Sequence, residues 1–206
     1  MSKLDVKTYS YYLNYRPFEK WVYVENIFSE KEIEKIIEIS KNKDLCLIKT
    51  ADVSEKNLLN NNIRRSSVSI IRSDLPELHW IFNKITESIN YINLNFFQFD
   101  LENIELLQIT KYDFKNKGKY AKHIDTHYLN NSASQIRKLS FTIQLSDEKS
   151  YKGGELLLHT GENPTKIDKK KGMCTFFPSY TLHEVTPVTK GERFSLVGWV
   201  LGPRFK

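Results

Sequence analysis

The sequence contains few cysteines, glycines and prolines, and each shortage excludes a class of protein. Two cysteines in 206 residues, Cys46 and Cys174, do not make a disulfide framework. We expect both as reduced thiols, with Cys174 buried in an apolar strand. Eight glycines and six prolines, with no internal repeat and no low-complexity segment, exclude collagen-like and disordered chains.

Long hydrophobic runs are also absent. No apolar stretch approaches the length that spans a bilayer, so we expect no membrane partner. The first seven residues lack the apolar core of a signal peptide, which predicts a cytoplasmic protein. A hydrophobic content of 40% and an aromatic content of 13% suit one globular domain over residues 1–206. We divide it into an N-terminal arm, strands and supporting helices (1–95) and a β core (96–206).

The chain is basic, with a net charge of +6 and a calculated pI near 9.1. Its lysines are spread along the chain, with local groups within residues 115–122 and at 169–171. We interpret these groups as solvated loops, since a nucleic-acid site concentrates its positive charge on one face. The distribution therefore argues against a nucleic-acid partner.

The first half of the chain carries two helix patterns. Ser29 with Glu32 forms a capping box, and isoleucines follow it at helical spacing. A second helix begins at 73–77, with Pro76 in its first turn, and continues to about residue 92. Residues 21–24 and 63–72 are typical of strands, and we expect the two helices to pack against a sheet.

The second half is a series of short strands. They are predicted at residues 104–112, 139–145, 155–159, 173–177 and 194–201. Turn-rich segments separate them, and no helical pattern comes between. The prediction is a mainly β protein with N-terminal helices and an antiparallel sandwich or barrel as its core.

Three residues in this half could hold a metal ion. His123 and Asp125 are two positions apart, so on an extended strand they point to the same face. His183 follows the apolar run at 173–178. Two histidines and one carboxylate form the facial triad of non-haem Fe(II) oxygenases, which leaves coordination positions open for reaction. A structural zinc site would be closed by a fourth ligand.

Arg193 and Ser195 suggest what binds beside such a metal. They are two residues apart on a predicted strand and face the same way. A guanidinium beside a hydroxyl suits a carboxylate, and an arginine inside a β core is costly unless an anion meets it. A dicarboxylate such as 2-oxoglutarate fits, because one end can chelate the metal while the other pairs with Arg193.

These motifs together resemble the Fe(II)/2-oxoglutarate-dependent dioxygenases, and within them the prolyl 4-hydroxylase-like group of bacterial or phage type. In the family's order, they occupy residues 112–125, 137–145, 151–156, 172–178, 183–188 and 191–196. In the oxygenases that repair alkylated nucleic acids, a second arginine stands six residues after the first. Here Trp199 occupies that position, which argues against that class.

The resemblance implies a double-stranded β-helix, or jelly roll, that holds Fe(II) through His123, Asp125 and His183. It implies that 2-oxoglutarate is bound by Arg193 with help from Ser195 and Tyr112, that O2 is consumed, and that L-ascorbate is a candidate auxiliary reductant. The chemistry belongs to the metal and cosubstrate, so we assign no side-chain acid or base.

The expected activity is hydroxylation of an amino-acid side chain, with peptidyl proline in a protein or peptide as the first candidate. One alternative is hydroxylation of a free amino acid or another small molecule. Another is a metal-binding jelly roll without turnover. Arg193 argues against this alternative, because a module that only binds metal does not need an arginine for a dicarboxylate. We expect His127 not to be a metal ligand. The loops that bind the substrate are expected at 60–67, 116–119 and 126–135. The sequence leaves the oligomeric state open.

Overall fold

The computed structural model describes residues 19–50, 63–126 and 134–205. The predicted N-terminal arm up to residue 18 lies outside the described residues, as do residues 60–62 of the loop expected at 60–67 and residues 127–133, including His127, of the loop expected at 126–135.

Both predicted helices are confirmed. Helix α1 spans Glu30–Ile39 and begins with the predicted capping box, in which the backbone N–H of Ser29 donates to Glu32 Oε2 at 2.8 Å. Helix α2 spans His79–Ile92, after a 3-10 turn at Pro76–Leu78 and before a π-helical turn at Asn93–Phe97. Within the described ranges, neither helix is long and apolar enough to cross a membrane.

Fourteen strands account for most of the remaining described chain. In order from β1 to β14 they are Val22–Val24, Cys46–Thr50, Arg64–Arg65, Ser67–Ile71, Asn103–Asp113, Lys119–His123, Gln135–Gln144, Lys152–Gly153, Leu156–Leu158, Thr165–Lys166, Cys174–Pro178, His183–Val185, Val188–Lys190 and Glu192–Pro203.

These strands form a jelly roll. A seven-stranded major sheet has the order β1-β11-β7-β14-β5-β4-β2, and a five-stranded minor sheet has the order β10-β9-β12-β6-β3. Strands β13 and β8 pair separately, and all pairs are antiparallel. The predicted fold class, mainly β with N-terminal helices and a jelly-roll core, is confirmed.

The two faces of the major sheet differ in chemistry. On β5, Leu107 and Ile109 join the core cluster that contains the buried isoleucines of α1 and α2. Gln108 and Thr110, whose side chains alternate with them, line the pocket between the sheets. The helices therefore cover one face of the major sheet and leave the other face to the site.

One predicted strand is in fact two. Residues 63–72 were expected to form a single strand, but β3 pairs with β6 of the minor sheet, whereas β4 pairs with β2 and β5 of the major sheet. The chain crosses between sheets at Ser66, which no pattern of alternation predicts. As a result, Arg64 belongs to the minor sheet.

The lysines at 169–171 are partly to fully exposed and lead through a turn into β11, in agreement with the solvated turn expected for this run. They form ion pairs with Glu155, Glu25 and Glu30. Their positive charge is compensated by nearby carboxylates, which weakens the case for an open basic surface at this run.

Both cysteines are free and buried. Burial raises the pKa of Cys46 to about 11 and that of Cys174 well above its usual value. Both are therefore protonated thiols and poor nucleophiles. Burial was predicted for Cys174 only, and Cys46 packs in the core as well.

Candidate metal centre

Two strands of the minor sheet and one loop carry the three predicted metal-binding residues. His123 ends β6 and His183 begins β12, and the two histidines are direct register partners. Asp125 lies in the loop after β6, where its backbone N–H donates to the carbonyl of Ser179 at 2.8 Å. Antiparallel pairing thus brings together residues that are sixty positions apart in sequence.

Their ligand atoms converge on one point. One ligand atom from each of the three residues lies within 4.8 Å of the others, and among the described residues no other group of this kind occurs. His123 Nε2 is 3.6 Å from Asp125 Oδ1, and His183 Nε2 is 3.5 Å from Asp125 Oδ2. This arrangement of two nitrogens and a carboxylate suits a first-row divalent metal.

Hydrogen bonds outside the triad orient the ligands. The Nδ1 atoms of His123 and His183 each lie 2.8 Å from a backbone carbonyl, those of Ala121 and Thr181. An Nδ1–H that donates to a carbonyl leaves the Nε2 lone pair directed to the centre. The Ser140 hydroxyl donates to Asp125 Oδ2 at 2.8 Å, so all three ligands have a supporting partner.

Burial and mutual charge set the protonation states. Desolvation, with the neighbouring His183, lowers the pKa of His123 to about 4. Burial opposes ionisation of Asp125, but the two imidazoles and the Ser140 hydroxyl outweigh it and hold the pKa of Asp125 below its usual value. At neutral pH, His123 is therefore neutral and Asp125 ionised, which are the forms that bind a metal.

The predicted carboxylate-binding residues meet on the major sheet. Arg193 on β14 is the register partner of Tyr112 on β5, and its guanidinium carbon lies 5.5 Å from the Tyr112 ring centre. Arg193 Nη1 donates to Ser195 Oγ at 3.4 Å. The side chain is buried, and its Nε has no hydrogen-bond partner within the described chain. A buried cation with an unpaired donor is the feature expected of an anion site.

One pocket contains both groups. It lies between the two sheets and is lined by the triad, Arg193 and Tyr112. Ser195 touches the arginine but is not among the wall residues. The structure thus brings all six predicted residues into one site.

Other residues around Arg193 were not selected from the sequence. Gln144 and Thr110 are the register partners of Ser195 on either side, and the Gln144 amide donates to the Tyr151 hydroxyl at 2.9 Å. Burial raises the pKa of Tyr151, although Arg193 acts in the opposite direction. Alternation from Tyr112 could have pointed to Thr110, and Tyr151 begins the motif at 151–156, but neither was assigned to the site.

Gly154 makes room for the arginine. Its φ is +61°, and a β-carbon there would stand 3.0 Å from Arg193 Cδ and from a methyl group of Val188. A larger residue would be strained in its backbone and crowded against the guanidinium stem.

Two further residues lie beside the metal ligands. The Tyr120 ring stacks on the His123 imidazole with centres 3.5 Å apart, and the guanidinium carbon of Arg64 lies 4.5 Å from the Tyr120 ring centre. Both line the pocket. Tyr120 lies within the motif at 112–125, but neither residue was assigned to the site from the sequence.

The other described histidines lie elsewhere. His159 Nε2 is 3.0 Å from Glu184 Oε1, and His79 Nε2 is 3.1 Å from the carbonyl of Ser73. Each has a local partner, so both have a structural role away from the metal ligands.

Comparison with known proteins points to the same chemistry. The sequence model of the 2OG-Fe(II) oxygenase superfamily matches residues 107–201. Residues 107–201 are a 2OG-Fe(II) oxygenase domain. The family description names Fe(II) and 2-oxoglutarate, and the matched range contains the triad and Arg193.

Relatives of this oxygenase domain carry hydroxylase names. A PKHD-type hydroxylase of Synechococcus sp. (strain CC9605) is 45% identical over 82 residues, which is 39% of this chain and 36% of that protein. A PKHD-type hydroxylase of Alteromonas mediterranea is 37% identical over 90 residues, 42% of this chain and 40% of that protein. The matches thus span well under half the length of these relatives.

Solved structures share the fold over most of the chain. A prolyl-4-hydroxylase of Pseudomonas putida has a TM-score of 0.68 at 19% identity and covers 90% of this chain and 93% of its own. A Trichoplax adhaerens prolyl hydroxylase in complex with a peptide fragment has a TM-score of 0.71 at 17% identity. The match covers 89% of this chain and 84% of that protein. At these identities the likeness establishes the fold.

Proposed function

We propose that this chain is a Fe(II)- and 2-oxoglutarate-dependent hydroxylase of an amino-acid side chain, with peptidyl proline as the first candidate substrate. In this proposal His123, Asp125 and His183 bind iron. Arg193, with Ser195 and Tyr112, binds the far carboxylate of 2-oxoglutarate.

One observation carries the proposal: an oriented metal triad and an unpaired buried arginine face the same pocket. The residues present fit the groups they are assigned. The triad offers two imidazole nitrogens and one carboxylate, as Fe(II) oxygenases require, while the unpartnered Arg193 Nε marks a place for an anion. A module that only bound metal would have no use for that arginine.

When bound, Fe(II), 2-oxoglutarate and O2 together supply the oxidising power for hydroxylation of a C–H bond, with succinate and carbon dioxide as coproducts. The protein orients and shields this chemistry. The histidine Nδ1 contacts and the Ser140 hydroxyl hold the ligands in place, and Arg193 fixes the register of the cosubstrate. The sheets exclude bulk water from the inner end of the pocket, because Arg193 and Asp125 are both about 4% exposed.

The substrate class rests on likeness to named proteins. The curated relatives are called PKHD-type hydroxylases, and the similar structures are prolyl hydroxylases, one of them determined with a peptide. We therefore place a peptide substrate first, and we propose that the whole chain works as a single catalytic domain. Strands β1, β2 and β4, which come from the first half of the chain, belong to the same sheet as β5 and β14.

The experiment is an anaerobic titration of the metal-free protein, first with Fe(II) and then with 2-oxoglutarate. We expect a visible charge-transfer band from the chelated iron–oxoacid complex in the parent and its loss in Asp125→Ala. A matched control is Asp113→Ala, since Asp113 is an aspartate at the end of β5 that does not line the pocket. A folded parent that binds iron without producing the band would contradict the proposal and favour a module without turnover.

A further inference from the structure

Arg64 is a second buried arginine in the same pocket. It lies on β3, where it pairs with Tyr120 of β6, and its side chain lines the pocket. Only 8% of its surface is exposed. Its Nε donates to Ser66 Oγ at 2.9 Å, and its guanidinium carbon lies 4.5 Å from the Tyr120 ring centre. The side chain is therefore held in a defined direction.

The two Nη atoms of Arg64 have no protein partner in the part of the chain that the structure describes. No carboxylate lies within 4.0 Å of its guanidinium there, and its only side-chain hydrogen bond is the one to Ser66. A guanidinium offers five N–H donors, and the Nη atoms of Arg64 are not among the fully buried unpaired atoms, so they are accessible to a ligand. The arginine thus has unused donors facing the pocket.

In the proposed function, the charges of the metal, the cosubstrate and the other pocket residues balance without Arg64. This step rests on the proposed function. In that function, Fe(II) and Arg193 supply three positive charges, which balance the carboxylate of Asp125 and the two carboxylates of 2-oxoglutarate. The positive charge of Arg64 is left over. Within the pocket lining, Asp125 is the only carboxylate among the described residues, so none of the described lining residues supplies a negative charge for Arg64.

We propose that Arg64 binds a carboxylate of the prime substrate. A planar guanidinium with two free Nη groups suits a carboxylate in bidentate geometry, and the Tyr120 stack keeps its plane fixed. The substrate of this chain is therefore an acid in the part that enters the pocket.

The geometry also limits where that carboxylate stands on the substrate. The Arg64 carbon is 4.5 Å from the Tyr120 ring centre, and that centre is 3.5 Å from the His123 ring centre. The guanidinium carbon therefore lies no more than their sum, 8.0 Å, from the His123 ring. The carboxylate and the reacting C–H bond belong to the same residue or to adjacent residues.

A carboxylate at that distance has two sources, and two pairs of probes separate them. N-acetyl-L-proline and N-acetyl-L-prolinamide differ only in a terminal carboxylate. The capped dipeptides acetyl-Glu-Pro-amide and acetyl-Gln-Pro-amide differ only in an acidic side chain. Binding of each probe is measured by calorimetry on protein loaded with Mn(II) and 2-oxoglutarate under argon, so that no turnover is needed.

The variant pair is Arg64→Gln and Arg65→Gln. Both remove one positive charge from the same two-residue strand, but Arg65 is not among the residues that line the pocket. General attraction of anions to a basic protein would weaken equally in both variants. Loss of a specific contact affects Arg64→Gln alone.

In the parent and in Arg65→Gln, we expect the acidic probe of at least one pair to bind at least about tenfold more tightly than the neutral probe of that pair. The pair that shows this preference identifies the source of the carboxylate. In Arg64→Gln we expect the preference to disappear. A parent without acid preference in either pair, including one that binds no probe, overturns the proposal, as does a preference that survives in Arg64→Gln.

Failure of this inference is distinguishable from failure of the proposed function. The iron–oxoacid band of each protein is recorded first. A parent that lacks the band contradicts the proposed function itself, whereas a parent with the band and no acid preference contradicts only the role of Arg64. Retention of the band in Arg64→Gln shows that the variant is folded and still binds both groups.

Discussion

At the scale of single residues, the candidate site depends on polar groups that do not themselves touch the metal position. Ser140 is fully buried on β7, and its hydroxyl lies 2.8 Å from Asp125 Oδ2 and 2.9 Å from Ser179 Oγ. The carboxylate would otherwise be free to rotate away from the two imidazoles. Loss of an outer partner of this kind typically lowers metal affinity by about 10- to 100-fold.

We expect Ser140→Ala to weaken binding of Fe(II) or Mn(II) by roughly tenfold, since the carboxylate loses the bond that orients it. The measurement is metal affinity by calorimetry under argon. Ser69→Ala is the control: Ser69 is also buried, and its hydroxyl donates to the carbonyl of Ser40 away from the site. Equal metal affinity in the two variants would show that Ser140 does not position Asp125.

A second residue-scale prediction concerns Arg193. We expect Arg193→Ala to raise the 2-oxoglutarate concentration at half-saturation by roughly a hundredfold, because the variant loses a buried charge-assisted contact. Arg193→Lys keeps the positive charge but lacks the planar guanidinium, and it should raise the half-saturation concentration by only about tenfold. The iron–oxoacid band gives both values. An unchanged concentration dependence in Arg193→Ala would place the cosubstrate elsewhere.

At the scale of elements, one carboxylate ties the segments around β9 and β12 together. Glu155 accepts a hydrogen bond from the Thr186 hydroxyl, and its backbone N–H donates to the same hydroxyl at 2.8 Å. Lys169 Nζ lies 3.2 Å from Glu155 Oε1. Burial acts against ionisation of Glu155, but these partners prevail and lower its pKa from 4.5 to about 2.

The sign of the resulting pH effect follows from that lowered pKa. Ionised Glu155 stabilises the folded state in full above the unfolded pKa near 4.5, and this contribution is lost as the pH falls towards 2. We expect Glu155→Gln to be less stable than the parent at pH 7, with a difference that shrinks between pH 5 and pH 3. Urea unfolding across that range measures it.

The matched control for that experiment is Glu162→Gln, since Glu162 is exposed and has no ion pair in the described parts of the chain. We expect its stability to follow the parent at every pH. A difference for Glu155→Gln that stays constant from pH 7 to pH 3 would mean that ionisation of Glu155 does not stabilise the fold.

At the scale of the whole molecule, the site joins the two sheets. The strands that carry the metal histidines, β6 and β12, belong to the minor sheet, whereas Arg193 belongs to β14 in the centre of the major sheet. A cosubstrate held by both groups would connect the sheets across the pocket. Ligand binding should therefore stabilise the entire jelly roll rather than one part of it.

We expect Mn(II) and 2-oxoglutarate, each at about a hundred times its dissociation constant, to raise the melting temperature by roughly 5 to 10 °C over metal alone. Differential scanning calorimetry measures the shift. In Arg193→Ala at the same concentrations, metal should still stabilise, while 2-oxoglutarate adds little. If the oxoacid raised the melting temperature of that variant as much as that of the parent, the connection between sheets would not exist.

Local sequence was sufficient for much of this structure. The capping box at Ser29 predicted where α1 begins, because the signal depends on residues within one turn. The isoleucine spacing predicted α2, and the strands that carry Tyr112 and Arg193 were placed to within two residues of their observed ends. The residues of the candidate site were also named from the sequence: the triad, Arg193 and Ser195 from residue type and spacing, and Tyr112 from the family resemblance.

What the tertiary structure alone decided is which distant residues share a pocket. Arg64 enters it because the chain changes sheets at Ser66, and Tyr151 meets Arg193 through a loop whose path no periodicity describes. Strands of two or three residues, such as β3 and β12, are too short for alternation to reveal them. Periodicity reports which face of an element is buried, whereas pairing between distant strands determines which faces meet, and that depends on the packing of the whole jelly roll.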